Sequence, residues 1–409
     1  MVTSPPERSV PHESLARLFR RFLGFGLLAW GGPVAQIAML RRELVDREQW
    51  ITSERFNRTL AVYQVLPGPE AHELCVYFGY RARGRIGGLI AGLGFMLPGL
   101  LLMLGLSWIY LNVGINSPLT LAFFAGAQAA VLALIVRAVH RIGAHAITDR
   151  WLGIVALLAA IAALVGVHFA AILAMAGATS FLISRRLVPL ALAVLIATGA
   201  LTTFVAVSGP GLGSMTPPVP EGPEPVAAGS EAPAALFASG LKAGLLTFGG
   251  AYTAIPFIEA DAVEAGWMTS RTFLDGVALS GILPAPLIIF ATFVGFVAGG
   301  WVGAMAITAG VFGPAFAFTL IGHRQLERLV ADRALHALLD GIAAGVVGLI
   351  AATALLLVPV AVRTALGALI FGVALVTLYL WRSGTAVAVA VLGSGIVGLA
   401  LHLAFGSMP

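Results

Sequence analysis

Four short clusters carry the residue types that hold an anion or pass a proton: Gly31-Gly32-Pro33, Pro67-Gly68-Pro69, Gly249-Gly250 and Pro284-Ala285-Pro286. Each lies in or beside an apolar run, where Gly and Pro interrupt a helix. A helix restarting after such a break presents unpaired N–H groups and a charge of about half a positive unit, which suits an anion. Glycine lets a ligand approach the backbone, and proline in a first turn gives up an N–H that has no intrahelical partner. Glu70, His72 and Glu73 follow the first Pro-Gly-Pro directly, placing two carboxylates and an imidazole beside that break. Ionisable groups at membrane depth cost roughly 2.5 to 3.5 kcal/mol each and are functional candidates by default. Protonation of a carboxylate next to an anion and binding of that anion favour each other. Two plainer readings stay open: an isolated break serves packing or a kink, and Glu70 only complements its helix N-terminus.

Other chemistry finds little support. The single cysteine, Cys75, allows no intramolecular disulfide and no thiolate metal site. No His-x-x-x-His, His-Glu-x-x-His or Ser/His/Asp arrangement falls on adjoining apolar segments, and no Gly-rich phosphate loop ends in Lys-Ser or Lys-Thr. No catalytic residue, metal or cofactor is therefore assigned, and the chain reads as no enzyme.

The elements that must hold these clusters are membrane helices, since 59% of the residues are hydrophobic and 11% charged. The expected fold is an all-α polytopic membrane protein. Residues 1–14 are polar, and the apolar run that follows has no cleavage site of signal-peptide type, so a cytoplasmic tail is expected there. The net charge of +5 comes from arginines at the ends of apolar runs, where topology explains them without a nucleic-acid partner.

The sequence repeats itself. "GLLAWGG" at 26–32 matches "GLLTFGG" at 244–250, "WITSERF" at 50–56 matches "WMTSRTF" at 267–273, and "LPGP" at 66–69 matches "LPAP" at 283–286. "YFGY" at 77–80 and Pro98 likewise match "FVGF" at 293–296 and Pro314, with nearly constant separation. Two halves, 15–207 and 234–409, are joined by a linker at 208–233 with seven prolines, three glutamates and no basic residue, which is placed outside the cell membrane. Treating the broken segments as re-entrant hairpins gathers the first arginine clusters in the cytoplasm and leaves spans near 87–110, 121–139, 151–167, 169–184 and 187–207. Five crossings put the second half in inverted topology, with spans near 300–321, 338–359, 362–381 and 386–406; counting hairpins as complete spans is the alternative. His168 reads as an interfacial turn residue and Lys242 as a cation snorkelling outward, with attraction of anions at the mouth as its alternative, while Arg137 snorkels at a span end. Asp340 reads as an N-cap. Asp275 reads as a tie between a hairpin and its neighbour.

In "GGPVAQIAMLRRELV", "LPGPEAHELCVYFGY", "GLLTFGGAYTAIPFIE" and "DGVALSGILPAPLIIFATFVGF" the chain resembles the chromate ion transporter family in its long, two-domain form. The resemblance covers nearly everything except the tail and the linker. It implies export of chromate, with sulfate as the isostere, across the bilayer of the cell (inner) membrane. Carried over by position, the substrate-binding set is Gly31, Gly32, Pro33, Gln36, Pro67, Gly68, Pro69, Gly249, Gly250, Tyr252, Pro284 and Pro286, with Ala285 between the last two; Glu70, His72 and Glu73 are the proton-coupling candidates. A monomer suffices for such a site, and a homodimer is compatible with it. The chain departs from the family pattern at Gly281-Ile282-Leu283, which is apolar where a glutamate and threonines are usual, and at Trp30, where Phe is common. A passive anion channel, or a transporter of a different small anion, is the alternative.

Overall fold

A computed structural model describes residues 13–112, 117–208, 231–330, 333–381 and 383–406. The tail and the linker expected at 208–233 lie almost entirely outside the described residues.

Every regular element among the described residues is a helix. The first half runs α1 (Leu15–Leu27), α2 (Pro33–Leu40) continued by a π-helix (Arg41–Arg47), α3 (Ser53–Val65), α4 (Glu70–Asn112), α5 (Pro118–Ala146), α6 (Arg150–Leu164), α7 (Phe169–Ser184) and α8 (Val188–Ser208). The second runs α9 (Pro233–Leu245), a 3₁₀ turn (Ala251–Ala254), α10 (Ile255–Glu264), α11 (Ser270–Gly281), a 3₁₀ turn (Leu287–Ile289), α12 (Phe290–Val330), α13 (Arg333–Ala361), α14 (Ala365–Leu380) and α15 (Ala386–Phe405). Six helices are long and apolar enough to cross a membrane, and α6, α7 and α14 are shorter apolar helices. Together they coincide with the spans read from the sequence. Of the helices that flank the breaks, α1, α2, α3, α9, α10 and α11 have at most 13 residues, about 20 Å against a hydrocarbon core of about 30 Å.

The repeated "W-x-T-S" stretches are helix starts: Thr52 accepts the Arg55 N–H at 3.2 Å, and Thr269 accepts the Thr272 N–H at 3.2 Å. α4 and α12 each fold into two arms. Arg83 and Gly84 (φ −144° and 62°) are matched by Gly299 and Gly300 (φ −137° and 59°). The second residue of each pair lies in the left-handed region that glycine enters without steric cost. Past the turn the arms touch backbone to backbone: a methyl added at Gly79 would lie 2.4 Å from the Gly87 carbonyl oxygen, and one at Gly295 would lie 2.5 Å from that of Gly303. Across each repeat, Gly26 of α1 meets the Phe95 carbonyl just as Gly244 of α9 meets that of Val311. The duplication is therefore one of contacts as well as of letters.

The halves interlock. α5 packs on α15, α13 packs on α7 and α6, and α4 packs on α12. Gly126 of α5 faces the Ser394 carbonyl, and Gly341 of α13 faces that of Ala176, the small-residue approach that lets membrane helices pack closely. Asp340 is not an N-cap. Its helix starts further back at Arg333, and Asp340 lies one turn from His336, 3.7 Å from its Nε2.

Candidate functional site

Each break is built from the sequence that announces it. α1 stops at Leu27, and α2 restarts with Pro33 as its first residue and Gly32 as its cap. α4 starts at Glu70, immediately after Pro67-Gly68-Pro69. α9 stops at Leu245, and the chain passes through Gly249 and Gly250 into the 3₁₀ turn that carries Tyr252. Pro284-Ala285-Pro286 leads through the second 3₁₀ turn into α12.

The four breaks meet, and they meet across the repeats. The Gly68 N–H donates to the Thr247 carbonyl at 2.8 Å, tying the first Pro-Gly-Pro to the second Gly-Gly turn. Gln36 is buried, and its Nε2 donates to the carbonyls of Ala29 (3.0 Å), Gly31 (3.1 Å) and Ala285 (3.2 Å). It thereby ties the first Gly-Gly turn to Pro284-Ala285-Pro286. The Tyr252 hydroxyl lies 3.5 Å from where a Gly32 methyl would stand, and the Pro33 ring lies 3.4 Å from that of Gly250. Ala285 packs on Gly99 in the second arm of α4. Gly31 to Pro33 and Pro67 are half-buried and Gly249 is exposed, while Gly68, Pro69, Gly250, Tyr252 and Pro284 to Pro286 are buried. The four turns that carry the expected residues thus touch one another across the repeats.

The titratable trio divides. Glu70 is buried at the start of α4. Glu73 is fully buried, and its carboxylate lies against Gly68 with neither oxygen hydrogen-bonded among the described residues. His72 points elsewhere: its ring sits edge-on to Phe312 and Phe316 of α12, at centroid distances of 5.0 and 4.7 Å, with neither nitrogen hydrogen-bonded among the described residues. The matching residues of the second half, Leu287 and Ile289, are apolar and buried.

The sequence places Arg141 in a basic cluster at the end of a span and reads Arg137 as snorkelling there. Both are half-buried on α5. The positive field of Arg141 falls on Glu70 and Tyr252, and that of Arg137 falls on Tyr252. Their four-residue spacing, which places both on one helix face, was the signal available in the sequence. Lys242 has a specific partner as well. It pairs with Asp261 of α10, which also accepts the Ser239 hydroxyl at 2.5 Å, and its ammonium lies 4.7 Å from the centroid of the Phe169 ring. Asp275 is the tie expected of it: it accepts from Tyr110 and Gln128, both at 2.7 Å, joining α11 to α4 and α5.

A family model described as chromate transporter matches residues 16–202 and 234–399. A chromate transport protein of Pseudomonas aeruginosa is 55% identical over 398 residues, 96% of this chain and 93% of that protein. One of Cupriavidus metallidurans is 29% identical over 85% of this chain and 84% of its own length. An uncharacterized transporter of Methanocaldococcus jannaschii is 30% identical over 83% of both. No solved structure matches the chain.

Proposed function

Because the chain belongs to the chromate transporter family, we propose that its four helix breaks hold a tetrahedral oxyanion, chromate or its isostere sulfate, while it moves outward across the cell membrane. The chain is a multi-pass membrane protein that transports chromate and is no enzyme. The observation that carries the finer reading is the cross-repeat tying of the breaks by Gly68 to Thr247 and by Gln36 to Ala285. Irregular backbone at membrane depth is tolerated only where protein or a water-filled cavity satisfies it, and transporters built from inverted repeats put their substrate there. The binding set is Gly31, Gly32, Pro33, Gln36, Pro67, Gly68, Pro69, Gly249, Gly250, Tyr252, Pro284, Ala285 and Pro286. On this reading residues 15–207 and 234–409 are inverted repeats joined outside by the linker, the N-terminus is cytoplasmic, and one chain makes a complete site.

Export is the direction the membrane potential favours. Moving one charge through 100 mV is worth about 2.3 kcal/mol, so a dianion leaving a negative interior gains about twice that. Glu70 and Glu73, with His72 behind them, are the groups through which protons couple to the anion. A carboxylate charged beside the anion repels it, so binding brings protonation with it.

The test is uptake of labelled chromate, with sulfate as competitor, into inverted vesicles holding the purified protein, under imposed potential and pH gradients. The expected result is potential-driven chromate accumulation that sulfate competes, with Glu70→Gln losing the response to the pH gradient but keeping the response to potential. No movement of either anion under any gradient overturns the reading. Unchanged pH response in Glu70→Gln and Glu73→Gln alike leaves a passive anion path.

A further inference from the structure

At the four breaks the dianion's charge falls to helix ends alone, and two carboxylates beside them oppose it. Arg137 and Arg141 lie on α5, the helix that reaches the break cluster through Ile142. Both project from α5 at one-turn spacing, both are half-buried, and Ile142 beside them touches Gly249 at 3.5 Å from where its methyl would stand. Gly249 is the exposed member of the break cluster. Neither forms an ion pair within 4.0 Å among the described residues. By contrast, Arg21 is held by Glu13 and Glu48, and Lys242 by Asp261. A snorkelling arginine would turn away from the bundle to reach water. Arg141 instead acts on the buried Glu70 and on Tyr252, and Arg137 acts on Tyr252, whose hydroxyl faces the first Gly-Gly turn. Glu73, nine-tenths buried and more, has no hydrogen-bond partner among the described residues and lies on the same break.

We infer that Arg137 and Arg141 are substrate-binding residues, a fixed pair of positive charges that selects divalent oxyanions over monovalent ones. This rests on the anion-site reading above. A dianion placed between the pair and the broken ends finds two full charges where a monoanion needs one. An oxyanion also presents several acceptor oxygens to the planar guanidinium donors, which a point cation would match less well. The half-helix ends and Tyr252 then supply orientation.

The experiment uses the full chain in proteoliposomes, with chromate flux measured against competing sulfate and nitrate in the wild type, Arg137→Gln, Arg141→Gln and Arg141→Lys. The expected result in each Gln variant is a rise in chromate KM of about tenfold or more, the loss that follows removal of a charge-assisted contact, with kcat changed much less. Sulfate competition weakens in parallel, nitrate competition does not, and Arg141→Lys recovers part of the affinity. Should a Gln variant fail to fold, judged by its elution and melting in detergent, the wild type decides: its chromate KM is expected to rise with ionic strength while nitrate inhibition holds. Wild-type KM and competition in both Gln variants overturn the inference, as does a salt-independent chromate KM. Calorimetric titration of sulfate into detergent-purified protein separates the two readings. Binding lost in the Gln variants while no vesicle transports chromate condemns the transport reading and keeps the arginine pair.

Discussion

The two halves carry the same helices and the same turns but treat them differently. α3 and α11 begin from the same capped stretch, yet α3 exposes Arg58 to solvent beside Glu54, one turn away, while Asp275 at the matching place in α11 is buried and accepts two hydrogen bonds. The first Pro-Gly-Pro opens directly into an α-helix bearing Glu70 and Glu73, whereas Pro284-Ala285-Pro286 opens through a 3₁₀ turn of apolar residues. Glycine at 68 adopts φ 148° with the Glu73 carboxylate against it; its counterpart is an alanine packed on Gly99. A duplicated frame can thus keep its geometry in both copies while one copy carries the titrating groups and the other supplies a closed wall.

Substitutions that make one half imitate the other test this division. Gly68→Ala copies the second-half residue into the first. The new methyl would lie 2.7 Å from the Glu73 Oε1 in a conformation that costs an L-residue about 1–3 kcal/mol. Loss of nearly all chromate flux in vesicles is expected, against near-normal flux for Ala285→Gly; equal flux would make the breaks interchangeable. Asp275→Ala strips the second half of its tie and orphans Tyr110 and Gln128, and a loss of about 3 kcal/mol is expected from denaturant melts. Gln36→Leu removes the donor shared by Ala29, Gly31 and Ala285; about 1–3 kcal/mol is expected, together with faster hydrogen exchange at the first Gly-Gly turn. Arg58→Ala, at the position matching Asp275, breaks only an exposed pair, so melts should move by less than about 1 kcal/mol. A large effect there would mean that α3 and α11 do similar work.

Much of this was legible in the sequence because membrane folds advertise their exceptions. Gly and Pro inside apolar runs marked all four breaks, repetition marked the frame, and apolar length marked the spans. Asp275, nine residues before Pro284, was legible as a tie between a hairpin and its neighbour. What stayed hidden depended on distant partners. Nothing near Lys242 announces Asp261, and nothing near Gln36 announces Ala285. The helical start at Arg333 robbed Asp340 of its cap, since a favourable capping residue inside a longer apolar pattern is overridden by packing. The arginines of α5 read as topology, because charge at a span end usually is.

The clasp between α5 and α15 has a consequence for biogenesis. The ribosome delivers α5 long before α15, whose glycines it must meet at Gly126 and Ala122. Until then one wall of the early half faces lipid or insertion machinery, and its native contacts await the slow closure of a long loop. Arrest of synthesis ahead of α15 would therefore leave a membrane intermediate with α5 unclasped, open to proteolysis at sites the finished protein protects.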